Sequence, residues 1–406
     1  MSVSSRSAID LADPDVFVAG AHHEALKRLR AEEPVYWQET EQGGFWALTR
    51  HEDIVAVYQD AAAFSSAGGA IVGGSFGKSS DTASQRMLVA SDPPRHRMLR
   101  QVMHRVFTPA IVARVRRQVA VLVDRAVRRM ERDGGCDFAT DIAPAMPVGA
   151  MMAMMAISEA DAHRLLTMTR RMIGYRDPEW VDTGDDERLR LAGLQADIFD
   201  FFDDLVAERR ADPGEDLVSI LAAAELNGRP AGVEDVLFNC MNVAVGGNET
   251  TSYTACAGIL ALVDDAHQWE LLSGRPEVPD TAVNEMVRWA STNAYVQRVA
   301  RSTVTIRDKT VRAGDSVTLW NVSANRDDEQ FADPDRFDVT RTPNRHVSYG
   351  VGVHRCIGAT LAGVELSVLF GRLADLGVRF ERAGEVRRLR SNFILGTNAL
   401  PLRIVG

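Results

Sequence analysis

The chain has 406 residues, of which 46% are hydrophobic and 25% charged, so it is long and apolar enough to bury a sizeable core. Its formal net charge of -10, from 46 basic and 56 acidic residues, argues against a nucleic-acid-binding protein, because such proteins are usually basic. Four scattered cysteines and a polar N-terminal stretch without the apolar core of a signal peptide predict a reducing, cytoplasmic setting.

Short elements are predicted in the first 80 residues. The apolar and aromatic segments 34–38 and 44–50 predict two strands joined by a turn, and 51–60 predicts a short helix. Residues 65–80 are rich in glycine and serine and predict a loop. This loop lacks the ending of a phosphate-binding loop, so we expect it to be a mobile loop over a pocket.

Helices dominate the prediction from about residue 94 to residue 300. The segment 233–265 is apolar nearly all round, which predicts a helix buried through the middle of the protein. Residues 143–157 are also apolar, but they are too short to span a membrane and are interrupted by Pro144 and Pro147, so we expect a core segment and no membrane span. The other helices are predicted at 111–131, 189–212 and 280–290.

The C-terminal quarter predicts a small sheet and a last helix. Segments rich in β-branched residues predict strands within 296–306, 310–314, 316–320 and 400–406, and 358–376 predicts the last helix. The fold class that follows is mainly α, with a minor β portion.

One cysteine lies in an unusual glycine-rich segment, SYGVGVHRCIG at 348–358. Gly350, Gly352 and Gly358 flank Cys356, and glycine permits both unusual backbone angles and the close approach of a flat ligand. Cys356 directly precedes the last predicted helix, whose first N–H groups can stabilise a thiolate. This arrangement suits a haem iron with a thiolate ligand. A glycine-rich turn around a buried cysteine is the alternative interpretation.

The segment resembles the haem-binding loop of the cytochrome P450 family, F-x-x-G-x-x-x-C-x-G. Tyr349 stands where the family usually has phenylalanine, and Cys356 stands at the position of the iron ligand. The aromatic ring of Tyr349 can still pack beside the thiolate. Its hydroxyl is expected to affect the redox potential of the iron, but not the binding of the iron by Cys356.

A second motif lies in the long buried helix, where Gly246 and Gly247 precede Glu249 and Thr250. Two glycines inside a helix cost about 1 kcal/mol each relative to alanine, which the close approach of a haem would offset. The resemblance implies that Thr250 hydrogen-bonds dioxygen and that Glu249 supplies protons through water. A helix kink with a threonine bonded to the backbone is the alternative.

Glu285 and Arg288 form an E-x-x-R pair that is similar to the structural ion pair of the family. The family's pair also binds a more C-terminal arginine, and Arg336 in the segment DPDRFD fits that position. We expect these three residues to hold the cysteine loop in place. An ordinary surface ion pair is the alternative, because an E-x-x-R spacing is common on helices.

The segment SDPPRHRMLRQ at 91–101 places His96 and Arg100 on one face of a predicted helix. The resemblance implies that both donate hydrogen bonds to haem propionates. His354 and Arg298 stand where the family usually has two further propionate partners. Taken alone, His96 would be interpreted as a solvated helix histidine.

The resemblance covers residues 10–406 and implies one domain over 1–406. Its fold is an α-rich triangular prism that holds haem b between the long central helix and the cysteine loop, with a small β-rich part from about 30–60 and 295–320. The segments NETT, HQWELL and NEMVRWAST are similar to those of actinobacterial enzymes that act on sterols and other lipid-like molecules.

The implied activity is a monooxygenase that hydroxylates a mid-sized, largely apolar molecule, in secondary metabolism or in the catabolism of sterol- or terpenoid-like compounds. Electrons would come from NAD(P)H through a ferredoxin reductase and a ferredoxin. The ferredoxin would dock on a cluster of arginines, and the enzyme would be a monomer. The cluster comprises Arg95, Arg97, Arg105, Arg114, Arg116 and Arg117.

The substrate pocket is expected between segments 68–90, 168–182, 243–250, 291–297 and the loop around residue 393. The side chains singled out as lining it are Val243, Asn293, Tyr295, Val296, Phe393 and Ile394. Of these, Asn293 and Tyr295 are expected to offer polar groups.

The sequence leaves several alternatives open. Epoxidation, phenol coupling or oxidation at nitrogen would use the same haem chemistry. A haem-thiolate binding or sensor protein without turnover is a further alternative, which Glu249 and Thr250 argue against. Whether the substrate is free or tethered to a carrier protein is also open.

Overall fold

The computed structural model describes residues 10–41, 43–72, 82–184, 186–275 and 277–405. Residues 73–80 of the predicted glycine-rich loop, together with residue 81, lie outside the described residues. The α-helices of the described part are α1 (Pro14–Val18), α2 (His22–Glu32), α3 (His51–Gln59), α4 (Arg95–His104), α5 (Pro109–Asp133), α6 (Ala145–Met155), α7 (Glu159–Ile173), α8 (Glu187–Ala211), α9 (Leu217–Ala222), α10 (Val233–Asp264), α11 (Ala266–Leu272), α12 (Asp280–Ala290), α13 (Asn321–Ala324) and α14 (Ala359–Asp375).

The strands are short and form several small sheets. They are β1 (Val35–Thr40), β2 (Gly43–Leu48), β3 (Phe64–Ser65), β4 (Gly135–Asp137), β5 (Glu225–Leu226), β6 (Arg229–Pro230), β7 (Val296–Ala300), β8 (Val304–Ile306), β9 (Lys309–Val311), β10 (Ser316–Leu319), β11 (Arg379–Arg382), β12 (Arg387–Arg388), β13 (Thr397–Ala399) and β14 (Pro401–Val405). The α-rich class with a minor β portion is therefore confirmed.

The predicted long helices begin and end within two residues of their positions in the structure, because strong end signals flank them. In α5 the side chain of Thr108 accepts a hydrogen bond from the N–H of Ile111, and Pro109 occupies the first turn. The same helix ends at Gly134 in the left-handed conformation, with φ of +74°. The predicted strand segment 296–306 is divided into β7 and β8.

The helix α10 crosses the middle of the protein. Its 32 residues span about 48 Å at ~1.5 Å per residue, and most of them are buried. One large apolar cluster surrounds it, to which α5, α6, α7, α12 and α14 contribute. The core therefore holds α10 on nearly all sides.

The largest sheet has five strands in the order β1-β2-β10-β7-β3, with β10 parallel to β2 and the other neighbours antiparallel. Val317 on β10 lies between Trp46 on β2 and Arg298 on β7. This sheet joins the N-terminal strands to the strands after α12. It thereby brings Arg298 to the same part of the molecule as α3 and α4.

One stretch of the described residues, Phe138–Met155, has the length and apolar composition that a membrane span requires, and 78% of it is buried inside the protein. It includes residues 143–155 of the predicted core segment and all of α6. Such burial is typical of a core helix.

Candidate active site

Cys356 lies in the loop that leads into α14. The loop turns through Gly350 (φ +64°) and Gly352 (φ +72°), both in the left-handed region that favours glycine. A Cβ on Gly352 would lie 2.9 Å from the backbone oxygen of Tyr58, so only glycine lets the loop pack this closely on the end of α3. The N–H of Cys356 donates to the carbonyl of Tyr349 at 2.8 Å. The backbone thus fixes the position of the cysteine.

The Cys356 side chain is exposed, although protein atoms surround it on most sides, so it borders an opening inside the fold. Burial raises the pKa of its thiol, whereas the N–H groups of Gly358 and Ala359 and the charge of Arg100 favour the thiolate. A Cβ added to Gly358 would meet only the cysteine sulfur, at 3.9 Å. The loop therefore presents one thiol to open space, with amide donors behind it.

Tyr349 packs its ring at the edge of the large apolar cluster, 5.5 Å from the ring of His346. Burial raises the pKa of its hydroxyl, and the negative charge of Cys356 acts in the same direction. The phenol therefore stays neutral beside the thiol.

Four nitrogen-bearing side chains from three parts of the chain meet near this loop. His96 and Arg100 come from α4, Arg298 from β7, and His354 from the cysteine loop. The rings of His96 and His354 lie 4.1 Å apart. Arg298 is buried, with its guanidinium 5.6 Å from the ring centre of Tyr58.

Burial lowers the pKa of His96 to about 4 and that of His354 to about 3, and the neighbouring arginines act in the same direction. Both ring nitrogens of His96 and Nε2 of His354 are buried without a hydrogen-bond partner among the described residues. The nearby carboxylate of Asp92 is already engaged by Ser65, by the N–H of Ser66 and by Arg301. The cluster therefore lacks anionic partners.

These observations fit a haem. A thiolate would bind the iron, and two histidines and two arginines would donate to the propionate carboxylates that the cluster itself lacks. A metal deprotonates the thiol that it binds, so the iron would keep Cys356 as a thiolate although burial raises the pKa of the free thiol.

The helix α10 carries an open stripe on an otherwise buried surface. Gly246 is exposed, and a Cβ added to it would meet nothing within 4 Å. Asn242 and Thr250 lie one turn before and after it and are partly exposed. Gly247 faces the other way, where a Cβ would lie 3.1 Å from the methyl carbon of Met151. The stripe thus leaves room for a flat group to approach the helix.

Thr250 is bonded within its own helix, because its hydroxyl donates to the carbonyl of Gly246 at 2.6 Å. A hydroxyl that donates in this way still has free lone pairs, which can accept a hydrogen bond. The structure therefore contains the hydrogen bond from the threonine to the backbone that the alternative interpretation predicts. It also contains open space beside Gly246, which the resemblance to a haem protein requires.

Glu249 points away from this stripe and is fully buried. Both of its oxygens accept from Nε of Arg170 on α7, at 3.2 Å each. The hydroxyl of Tyr253 also faces the carboxylate, although it makes no hydrogen bond of ordinary geometry among the described residues. Burial raises the pKa of Glu249, and Arg170 opposes the shift.

The E-x-x-R pair is fully buried. Arg288 donates to both oxygens of Glu285, at 2.7 and 2.8 Å, and to the carbonyls of Asn325 and Pro334. The N–H of Asp338 also donates to Glu285, at 2.9 Å. The pair is therefore a hydrogen-bonded support for the segment that leads to the cysteine loop, not a surface ion pair.

The prediction of Arg336 as the third member of this network is wrong. The side chain that binds Glu285 is that of Arg341, whose Nε lies 3.1 Å from both carboxylate oxygens. Arg336 contributes its backbone carbonyl, which accepts from Arg288 at 3.1 Å and from Arg341 at 2.8 Å. Its side chain is exposed, because the turn before buried Phe337 directs the carbonyl inward.

Two of the expected pocket segments are joined by backbone hydrogen bonds. Asn293 and Ile394 form an antiparallel bridge, and the N–H of Ala294 donates to the carbonyl of Phe393 at 2.9 Å. Val296 and Phe393 are partly exposed. The other two apolar candidates, Val243 and Ile394, are 9% and 4% exposed and belong more to the core than to a wall.

The expected role of Tyr295 as a polar group in the pocket needs correction. Tyr295 is 1% exposed and packs between Trp320 and Phe393, with ring centres 4.7 and 5.3 Å away. Its hydroxyl accepts from the N–H of Val72 at 3.2 Å. In contrast, Oδ1 of Asn293 has no hydrogen-bond partner among the described residues. Asn293 therefore keeps the role of polar group.

Three residues of this site are not predicted by the sequence. Arg170 and Arg341 carry no local signal, because the carboxylate that each of them binds lies more than 50 residues away in the chain. Asn242 had a usable signal, since it lies four residues before Gly246 and so on the same helix face. Its side chain forms no hydrogen bond with the rest of the described chain.

Comparison with known proteins agrees with this geometry. The family model described as Cytochrome P450 matches residues 17–268 and 277–374. The chain is 34% identical to linalool 8-monooxygenase of Pseudomonas putida, over 98% of each chain, and 34% identical to cytochrome P450 NovI of Streptomyces niveus, over 100% of this chain and 98% of the relative.

A solved structure of a Mycobacterium marinum cytochrome P450 in complex with pseudoionone superimposes with a TM-score of 0.87 at 31% identity, covering 99% of this chain and 100% of that one. The cysteine loop, the cationic cluster and the open stripe of α10 thus belong to a known architecture. The chain is a member of the cytochrome P450 family, and it is a haem-thiolate monooxygenase.

Proposed function

We propose that the enzyme hydroxylates a mid-sized, largely apolar molecule that carries an oxygen-containing polar group, such as a terpenoid alcohol or ketone. Two observations carry this proposal: the Cys356 loop presents its thiol to open space, and α10 carries the open stripe of Asn242, Gly246 and Thr250. The family's fold holds its haem between these two elements. A group bound between these two elements would have a thiolate on one side and an uncharged wall on the other.

Haem, when bound at this site, supplies the binding and reductive activation of dioxygen. The residues of the chain have three tasks around it. Cys356 would donate electron density to the iron, His96, Arg100, Arg298 and His354 would hold the propionates, and Thr250 would offer its hydroxyl in the open space beside α10. Glu249 is proposed as the source of protons and has to leave Arg170 to act, because the paired carboxylate is fully buried.

The expected walls of the pocket favour an apolar substrate with a few polar contacts. Val296 and Phe393 supply apolar surface, while Asn242 and Asn293 each offer an amide that lacks a full set of partners. The relatives fit the same description, since linalool is an alcohol and pseudoionone a ketone with otherwise apolar skeletons.

Electrons are proposed to come from NAD(P)H through a ferredoxin reductase and a ferredoxin, to a monomeric enzyme in the cytoplasm. Four arginines on or just after α4 and on the N-terminal half of α5 are available for docking, because they make no ion pair within the described chain: Arg97, Arg105, Arg116 and Arg117. The two other predicted members are engaged, Arg95 with Asp235 and Arg114 with the carbonyl of Ala153. An acidic ferredoxin would complement the four free charges.

The proposal is tested by turnover under ¹⁸O-labelled dioxygen. The purified holoenzyme is supplied with NADPH, spinach ferredoxin and its reductase, and with linalool, pseudoionone or the hydrocarbon myrcene. We expect products that gain one labelled oxygen, and tighter binding of linalool than of myrcene in the low- to high-spin titration. Products without labelled oxygen would instead favour coupling or desaturation, and the absence of any turnover over a wider terpenoid panel would reject the substrate class.

The Asn242→Leu variant tests whether the amide of Asn242 contacts the polar group of the substrate. We expect the preference for linalool over myrcene to fall about tenfold, because the buried amide contact is lost. An unchanged preference would remove Asn242 from the proposal.

A further inference from the structure

Arg170 lies between an acid and an aromatic ring. On one side its Nε donates to both oxygens of Glu249. On the other side its guanidinium carbon lies 5.1 Å from the ring centre of Trp180. Arg170 is 9% exposed and Glu249 is fully buried, so water reaches this contact poorly. The arginine therefore has two attractive partners in a dry environment, one charged and one aromatic.

Trp180 is itself held in a defined place. Its indole N–H donates to Oδ1 of Asn398 at 3.0 Å. The amide nitrogen of Asn398 donates in turn to Asp177 at 2.9 Å and to Glu179 at 3.0 Å. The ring also requires a glycine beneath it, because a Cβ on Gly174 would lie 2.7 Å from its Cδ1. Asn398 on β13 thus positions the indole over Arg170.

Release of Glu249 from Arg170 has a physical cost. A buried arginine that loses its carboxylate is left with an uncompensated charge, which is strongly unfavourable. The face of Trp180 remains in contact with the guanidinium whether or not Glu249 is bound to it, and the attraction of a cation to an aromatic face is larger when both are desolvated. In the paired state the carboxylate offsets the guanidinium charge, so the ring attracts the guanidinium more strongly once Glu249 has left and stabilises the released state more than the paired one.

We propose that Trp180 is a positioning residue that holds Arg170 in place while Glu249 leaves it to deliver a proton. Trp180 acts through Arg170 and does not touch the reacting atoms. The proposal rests on the role of Glu249 given under Proposed function, and it assigns to the Asn398 amide the task of orienting the indole.

The test uses the intact holoenzyme without substrate, supplied with NADPH, spinach ferredoxin and its reductase. The measured quantities are the dioxygen-dependent rate of NADPH oxidation in H₂O and in D₂O, for Trp180→Leu, Trp180→Phe, Glu249→Gln and the Trp180→Leu/Glu249→Gln double variant. Trp37→Leu makes the same change at a tryptophan that is 39% exposed on the surface and serves as the matched control.

We expect Trp180→Leu to lower the rate about fivefold and to raise the solvent isotope effect, as Glu249→Gln does. Trp180→Phe keeps an aromatic face and should retain most of the rate. In the Glu249→Gln background, Trp180→Leu should have no further effect, because there is no carboxylate left to release. An equal loss in both backgrounds would show that Trp180 serves only general structure and would overturn the inference.

The two hypotheses fail differently. A wild-type rate and isotope effect in Glu249→Gln would reject the proton-supplying role of Glu249, and the inference with it. A clear effect of Glu249→Gln without any effect of Trp180→Leu would reject the inference alone.

Two further measurements keep the inference testable if turnover cannot be measured in Trp180→Leu. Melting temperatures of Trp180→Leu, Arg170→Met and the double variant should be non-additive, which checks the contact without turnover. If Trp180→Leu does not bind haem, Asn398→Ala replaces it, since it keeps the indole but frees its N–H. A lower rate and a higher isotope effect are then expected, and wild-type values would overturn the inference.

Discussion

Nε of Arg170 lies 3.2 Å from each carboxylate oxygen of Glu249, and this contact ties α7 to the middle of α10. The pair joins residues 79 positions apart in the chain. Because the carboxylate is fully buried, the guanidinium of Arg170 stabilises its charged form. The contact thus links the acid proposed to supply protons with the packing of two core helices.

Replacing Arg170 with methionine should lower the free energy of unfolding by about 3–5 kcal/mol, because Glu249 would remain buried without its cation. Urea unfolding of the holoprotein measures the change. The Arg170→Met/Glu249→Gln double variant should recover part of it, since no charge is then left unpaired.

The neighbouring Arg171→Met change provides the control. Arg171 is 45% exposed and lies 3.8 Å from Asp197 on the surface, so its loss should change stability by less than about 0.5 kcal/mol. Equal losses for the two variants would contradict the special role of the buried pair.

The Cys356→Ser variant should lose the carbon monoxide difference band of a thiolate-ligated haem. A serine oxygen cannot replace the electron donation of the sulfur. The measurement compares reduced wild-type and variant proteins after addition of carbon monoxide. Cys136→Ser, at a half-buried cysteine elsewhere in the fold, should keep the band. Survival of the thiolate band in Cys356→Ser would mean that another residue is the ligand.

Arg341→Ala should destabilise the protein more than Arg336→Ala does. Arg341 binds the buried Glu285 with its side chain, and its removal takes one cation away from a fully buried carboxylate. We expect a loss of about 2–4 kcal/mol and weaker haem retention. Arg336 acts through its backbone, so its exposed side chain should be dispensable. Equal effects of the two changes on urea unfolding would argue against the network described here.

The burial of Glu365 on α14 should make the free energy of unfolding depend on pH. It is 4% exposed, its Oε2 has no hydrogen-bond partner among the described residues, and burial raises its pKa to about 8. A carboxyl whose pKa is raised on folding contributes stability that is fully present below its unfolded value of 4.5 and is lost as the pH rises through 8.

The Glu365→Gln variant removes this titration and keeps the shape of the side chain. It should match the wild type near pH 4 and become more stable than the wild type by roughly 2–5 kcal/mol above pH 8. Melting temperatures between pH 4 and pH 9 measure the difference. A constant difference across this range would mean that Glu365 does not titrate in it.

Charge reversal at Arg116 and Arg117 should slow reduction by an acidic ferredoxin about tenfold at low ionic strength, because these free charges would steer the encounter. The difference should shrink as salt is added, since salt screens exposed charges. Arg129→Glu, farther along the same helix, is the control and should leave the rate near that of the wild type. A loss that does not depend on salt would point to a structural effect instead of docking.

The sequence by itself predicted the candidate site residues that local spacing groups together. There are three such groups: Cys356 with its glycines, His96 with Arg100, and Glu285 with Arg288. Within each group, the residues lie only a few positions apart in the chain. The same local signals placed the helices, because capping residues and apolar periodicity act over one or two turns.

The tertiary structure decided the contacts between residues that are far apart in the chain. The choice of Arg341 over Arg336 depends on how a turn directs its carbonyls, and the partner of Glu249 depends on how α7 packs on α10. The hydroxyl of Tyr295 likewise accepts a hydrogen bond from the N–H of Val72, 223 residues away. Such pairings arise from the packing of whole elements around a common core, and no local pattern in the sequence encodes them.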